Sequence, residues 1–187
     1  MRRRAVFLDR DGVINRTIMR NGKPCPPASV EEIELLPGVK SCLEKLCDLG
    51  LFPIVVTNQP DVARGAQRME IVEQIHASLI QRLPLQGIVV CYHDDSDNCS
   101  CRKPEPGLLL EAAARWSIDL ERSFMIGDRW KDVEAGRRAG CTTFLIERTY
   151  SEKERCVADY CVESLVQATE IVVDRIAQAS HEGTQDQ

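Results

Sequence analysis

Five short apolar runs, separated by segments of helical periodicity, constrain this chain more than any other feature of its sequence. The runs are residues 5–8, 52–56, 87–91, 124–126 and 142–146. Each is too short for a helix and apolar on successive positions, the pattern of a strand covered on both faces. Between them, Val39, Leu43, Leu46 and Leu49 form the stripe of a helix that follows Pro37-Gly38 and stops at Gly50. Ile71, Ile75, Leu79 and Leu83 mark a second helix over 67–83, closed by Pro84. Pro106 opens a third through Leu109, Ala112, Ala113 and Trp116, residues 131–139 form a short one before Gly140, and 163–178 form the last. Strands alternating with single helices predict an α/β fold with a doubly wound, mostly parallel sheet and right-handed crossovers. One domain over residues 1–179 is expected, with no stretch long enough for a separate cap. Residues 16–36, with Asn21-Gly22, Pro24, Pro26 and Pro27, are expected to be irregular, and 180–187 to be a disordered polar tail.

The ends of these runs carry the chemistry. The first stops at Asp9-Arg10-Asp11-Gly12, two carboxylates at a strand's carboxyl end, where open α/β sheets bind ligands. One carboxylate can attack phosphorus while the other handles the proton. The second run is followed by Thr57-Asn58-Gln59, whose hydroxyl and N–H groups suit phosphate oxygens. The loop after the third ends in Arg102-Lys103-Pro104, and the fourth leads into Gly127-Asp128 and Asp132. Taken singly, each has a bland explanation as a turn, a surface basic pair or a helix cap. Four such ends in one short chain are far less expected by chance.

Composition narrows the partners. A net charge of −5 and no concentrated basic stretch argue against a nucleic-acid backbone. Met1-Arg2-Arg3-Arg4 resembles the start of a signal peptide, but aspartates interrupt the apolar run that follows. No stretch is long and apolar enough to span a membrane. The expectation is a cytoplasmic monomer acting on a small molecule.

The order Asp-x-Asp-Gly, Thr, Lys, Gly-Asp-x-x-x-Asp resembles the haloacid dehalogenase (HAD) superfamily of phosphotransferases over residues 5 to about 146. The resemblance implies Asp9 as nucleophile forming an aspartyl-phosphate, and Asp11 as general acid and base carrying a proton. It implies Mg²⁺ held by Asp9, the Asp11 carbonyl and Asp128, with Asp132 orienting the metal's waters. Lys103, Thr57 and Asn58 would hold the phosphoryl oxygens.

Cys91, His93, Cys99 and Cys101 lie within eleven residues of a chain with nine cysteines and three histidines. Three thiolates and an imidazole suit tetrahedral zinc, with all four positions filled by protein and therefore structural. Its place directly before Arg102-Lys103 would stiffen the loop that presents both cations.

Phe-Leu-Asp-Arg-Asp-Gly, Thr-Asn-Gln and the Cys-Arg-Lys-Pro end of this loop together resemble the D-glycero-D-manno-heptose 1,7-bisphosphate phosphatases. Histidinol-phosphate phosphatases are the near relatives. Ala63-Arg64-Gly65 favours the heptose branch. The resemblance implies a capless enzyme of bacterial surface-carbohydrate synthesis that cleaves the 7-phosphate, with Arg102 at the distal end of the sugar and Asn58, Gln59, Arg64 and Lys103 also at the substrate. Histidinol phosphate or another sugar phosphate is the alternative. A polynucleotide 3′-phosphatase and a non-catalytic metal- or phosphate-binding domain are less favoured. The chain departs from the family pattern at residues 16–27 and at Pro60-Asp61, and its zinc loop is short.

Overall fold

Ala5, Val6, Phe7 and Leu8 are all fully buried, so the first strand needs cover on both faces. The structure, a computed structural model, describes residues 2–20, 22–148 and 157–182. In chain order the elements are β1 (Arg4–Leu8), β2 (Ile18–Arg20), β3 (Lys23–Cys25), α1 (Val39–Asp48), β4 (Leu51–Asn58), α2 (Met69–Arg82), β5 (Gly87–Cys91), α3 (Gly107–Trp116), β6 (Phe124–Gly127), α4 (Trp130–Ala139), β7 (Thr142–Ile146), β8 (Tyr160–Val162) and α5 (Leu165–Glu182). Six strands form one sheet in the order β5-β4-β1-β6-β7-β8, every neighbouring pair parallel.

Successive side chains of a strand point to opposite faces. Val6 and Leu8 accordingly join one core layer, with Leu43 and Leu46 of α1, Ile75 and Leu79 of α2 and Val172 of α5. Ala5 and Phe7 join the other, with Leu108, Leu109 and Ala112 of α3 and Ala135 of α4. The expected mostly parallel, doubly wound sheet is therefore observed. The connection leaving β1 runs towards β4, and the one leaving β6 runs the opposite way, towards β7. The carboxyl ends of β1 and β6 thus flank a topological switch point, the place where such sheets open a crevice.

Several local expectations change. Residues 18–25 are not irregular: β2 and β3 pair antiparallel as a hairpin. Asn-Gly between two short extended segments is a hairpin signal. It was masked by Pro24, which a two-stranded ribbon tolerates at its edge. β8 escaped the periodicity reading because only three residues carry it. It is anchored by the Tyr160 ring stacked 4.8 Å from Phe144. α5 extends to Glu182, into the segment expected to be a tail, and residues 183–187 lie outside the described residues. Cys156 also lies outside them.

Candidate active site

Asp9 follows the last residue of β1, at the switch point. Its Oδ1 accepts a hydrogen bond from Lys103 Nζ at 2.8 Å. The same ammonium donates to the Val56 carbonyl at 2.8 Å and to Asp132 Oδ1 at 2.5 Å, which uses all three of its protons. Burial alone would push Lys103 down, but Asp132 and Asp9 overcome it and hold the ammonium above its ordinary value. Burial raises Asp9 to about 6 against the pull of Lys103, with Asp132 and Asp11 adding to the rise.

Asp128, directly after β6, is the anomaly of the cluster. It is buried, and neither carboxylate oxygen has a hydrogen-bond partner. Burial, then Asp9 and Asp132, push its pKa well above the ordinary range. A buried carboxylate without a partner is costly. Three carboxylates whose oxygens gather within 4.8 Å call for a cation. Gly12 completes the cradle: a Cβ there would lie 2.1 Å from Asp128 Oδ2, and its φ of +87° favours glycine. A hard divalent ion with oxygen ligands fits this donor set. Asp132 is already engaged by Lys103, and its Oδ2 accepts from the Arg129 N–H at 3.1 Å, so it suits an orienting role.

Asp11 differs from expectation. The Arg10 fork reaches both its oxygens, Nη2 at 2.8 Å and Nε at 3.2 Å, Asn15 Nδ2 donates at 2.9 Å, and Gln59 Nε2 at 3.0 Å. Burial works against the charge, yet Arg10, Asn15 and Gln59 together hold the carboxyl below its ordinary value. The group expected to carry a proton is therefore held ionised here, because four donors face it and donors favour the charged form.

Three residues of this arrangement, Arg10, Asn15 and His76, were given no role from the sequence. Arg10 is fully buried, and its Nη1 lies 3.0 Å from Nε2 of His76 on α2. Burial, then the Arg10 charge, lower His76 to about 3, so the ring is neutral and Nε2 accepts from the guanidinium. The one available signal was an arginine between the two aspartates that follow β1, and nothing local pointed to residue 76.

Thr57, Asn58 and Gln59 sit at the end of β4 as expected, but all three side chains hydrogen-bond to protein. Asn58 Nδ2 donates to the Lys103 carbonyl at 3.0 Å and its Oδ1 accepts from the Lys103 N–H at 3.1 Å. It clamps the backbone that presents the ammonium. Gln59 Nε2 donates to Asp11 and, at 2.9 Å, to Thr57 Oγ1, so it orders two site residues.

Cys91, His93, Cys99 and Cys101 converge. Sulfur–sulfur separations run from 3.0 to 3.7 Å, and His93 Nδ1 lies 3.3 Å from Cys101 Sγ and 3.6 Å from Cys91 Sγ. A tetrahedron with metal–sulfur bonds of about 2.3 Å has edges of about 3.8 Å, so the donor set fits zinc. Although desolvation raises it, Cys99 is held down to about 7 by Cys101 and by backbone N–H groups, Arg102 among them. Cys91 pairs in register with Asn58 across β5 and β4, which ties this loop to the carboxylate cluster.

The cleft above Asp9 has a volume of about 230 Å³. Pro24, Cys25 and Pro26 of the hairpin wall one side, and Arg64, Arg102 and Lys131 line the rim. Arg102 Nε donates to Asp95 Oδ1 at 2.8 Å, and Arg64 pairs with Asp94.

Comparison with known proteins agrees with this geometry. The HAD-hydrolase-like family model matches residues 100–179. A Rhodopseudomonas palustris protein named D-glycero-β-D-manno-heptose-1,7-bisphosphate 7-phosphatase is 36% identical over 158 residues, covering 78% of this chain and 84% of its own. A Helicobacter pylori protein of the same name is 39% identical over 142 residues, covering 73% and 78%. A crystal structure of D,D-heptose 1,7-bisphosphate phosphatase from B. bronchiseptica with magnesium and phosphate superposes with a TM-score of 0.79 at 26% identity, covering 92% of this chain and 99% of that one. Among the described residues no helix is long and apolar enough to cross a membrane.

Proposed function

The chain belongs to the D-glycero-β-D-manno-heptose-1,7-bisphosphate 7-phosphatase family of HAD hydrolases, and from that membership we propose that it removes the 7-phosphate of D-glycero-D-manno-heptose 1,7-bisphosphate. The observation that carries the chemistry is Asp9 bound to Lys103 beside the unpartnered carboxylate of Asp128. Asp9 attacks phosphorus, the sugar oxygen leaves, and an aspartyl-phosphate forms. Water then attacks that phosphorus, the Asp9–phosphate bond breaks, and Asp11 takes the water's proton. The same proton protonates the leaving oxygen of the next substrate. Its residence on Asp11 is favoured when the phosphate dianion enters and adds negative charge beside the carboxylate. Thr57 holds the phosphoryl oxygens, Lys103 supplies positive charge beside them while its protons stay on Asp9, Val56 and Asp132, and catalysis rests mainly on positioning and charge neutralisation.

Asp9, Asp128 and the Asp11 carbonyl would hold Mg²⁺, which keeps Asp9 ionised and neutralises phosphoryl charge when bound. Cys91, His93, Cys99 and Cys101 would hold a structural Zn²⁺. The rim cations Arg64, Arg102 and Lys131 support a substrate with a second anionic group, and the relatives' names support the β-anomer.

The test is phosphate release with Mg²⁺ from both anomers of the heptose bisphosphate, fructose 1,6-bisphosphate, histidinol phosphate and a 3′-phosphorylated oligonucleotide. The β-anomer is expected to give the highest kcat/KM, with Asp9→Asn folded but inactive. Preference for histidinol phosphate or the oligonucleotide would overturn the substrate assignment, and a turning-over Asp9→Asn would overturn the nucleophile.

A further inference from the structure

Three cations from three different segments face one carboxylate at the rim of the cleft. Asp95, in a short 3-10 turn (Asp95–Asp97) of the zinc loop, accepts from Arg102 Nε at 2.8 Å through Oδ1. Lys131 Nζ of α4 lies 3.5 Å from the same oxygen. Arg64 Nη2, after β4, lies 3.7 Å from Oδ2. The Arg102 side chain is only 11% exposed, whereas Asp95 is 62% exposed. Arg102 is thus built into the wall, while Arg64 and Lys131 are more open, and the carboxylate reaches Arg102 from the solvent side. Asp94, its neighbour, separately pairs with Arg64.

We propose that Asp95 is a specificity-determining residue. Its carboxylate is an internal stand-in for the second phosphate of the substrate, and that phosphate must displace it to reach Arg102 and Lys131. This rests on the reading of the cleft as a site for a bisphosphorylated sugar. The physical argument is competition. A carboxylate and a phosphate cannot share the same N–H donors, and two like charges at that distance repel. A monophosphate held at Asp9, Thr57 and Lys103 leaves the rim pairs in place and bears no displacement cost. A bisphosphate breaks them and makes stronger, dianionic pairs in their stead. Asp95 therefore lowers the affinity for the bisphosphate below what the cations alone would give, and it reserves them for a distal group of high charge. The exposure of Asp95 makes the swing available without disturbing the core.

The experiment compares the zinc- and magnesium-loaded wild type with Asp95→Asn, which keeps the shape of the turn and removes the charge. The readout is the ratio of KM for p-nitrophenyl phosphate to KM for β-heptose 1,7-bisphosphate. Zinc content and Tm confirm that the loop is retained, and Asp95→Ala serves if the Asn variant does not fold. Release of exposed ion pairs of this kind is expected to raise the ratio about three- to fivefold. A wild type that prefers the bisphosphate, with an unchanged or lower ratio in the variant, overturns the role of Asp95 and leaves the substrate reading standing. A wild type without preference and a variant that gains one supports Asp95 as the stand-in and overturns the substrate reading. Absence of preference in both overturns both.

Discussion

A fully buried guanidinium with a neutral histidine at its back is the unusual residue-scale feature of this site. Arg10 can fork onto Asp11 only if something accepts from its remaining N–H groups, and His76 Nε2 does so. The consequence is a pH dependence of stability. His76 titrates near 6.5 when unfolded and, through burial and then the Arg10 charge, at about 3 in the fold. The unfolded chain binds the extra proton between these values. The contribution of His76 is complete above pH 6.5 and is lost as pH falls through that window, by about 5 kcal/mol over its whole width. His76→Gln retains an acceptor and removes the titration. Its stability difference between pH 7 and pH 4.5 in urea unfolding is expected to be roughly 2 kcal/mol smaller than in the wild type. An equal difference would show that the ring is not neutral in the fold. None of this was legible in the sequence, because Arg10 and His76 stand 66 residues apart and neither identity implies the other.

At the scale of elements, the loop between β5 and α3 is the part that burial cannot explain. Its residues 94–98 are exposed or half-exposed, and what holds them is polar: the pairs of Asp94 and Asp95 with Arg64 and Arg102, and four sulfur and nitrogen atoms that meet at one point. The spacing of Cys91, His93, Cys99 and Cys101 made this readable in advance, since a metal-ligand set is a local pattern. Cys99→Ser is expected to lose the zinc and to cost roughly 3–4 kcal/mol, the stabilisation that a tightly bound ligand confers. Metal analysis with thermal melting checks it, and retention of one zinc per chain with an unchanged Tm would refute the zinc site. The β2–β3 hairpin shows the opposite case. Its prolines pointed to irregular chain, and only pairing between its two strands, with Pro24, Cys25 and Pro26 against the cleft, revealed an element that borders the site.

For the whole molecule, the sheet order brings Asp9 and Asp128 from adjacent strands to one crevice and leaves their charges unbalanced. A carboxyl whose pKa is raised in the fold contributes stability below its unfolded value, and that contribution is lost as pH rises. Asp128 is such a group, chiefly through burial and then through Asp9 and Asp132. The metal-free protein therefore carries a charge penalty at neutral pH that a bound cation removes. Mg²⁺ at a hundred times its Kd is expected to stabilise the wild type by about 2.7 kcal/mol. Asp128→Asn is expected to be more stable than the wild type in EDTA at pH 7.5 and to gain little from Mg²⁺. Equal Mg²⁺ stabilisation of both proteins would remove Asp128 from the metal site.

The sequence by itself determined the α/β class, the five principal strands of the sheet and the placement of Asp9, Asp11, Thr57, Lys103 and Asp128 at strand ends or in the loops that follow. These follow from periodicity and local spacing, which are short-range properties of the chain. Tertiary structure alone decided what each polar group touches. It placed Asn58 on the backbone of Lys103, turned Asp11 towards Arg10, Asn15 and Gln59, and left Asp128 without a partner. It also gathered Arg64, Arg102 and Lys131 around Asp95. Partners and charge states depend on which distant segments pack together and how far they exclude water, and no local pattern encodes either.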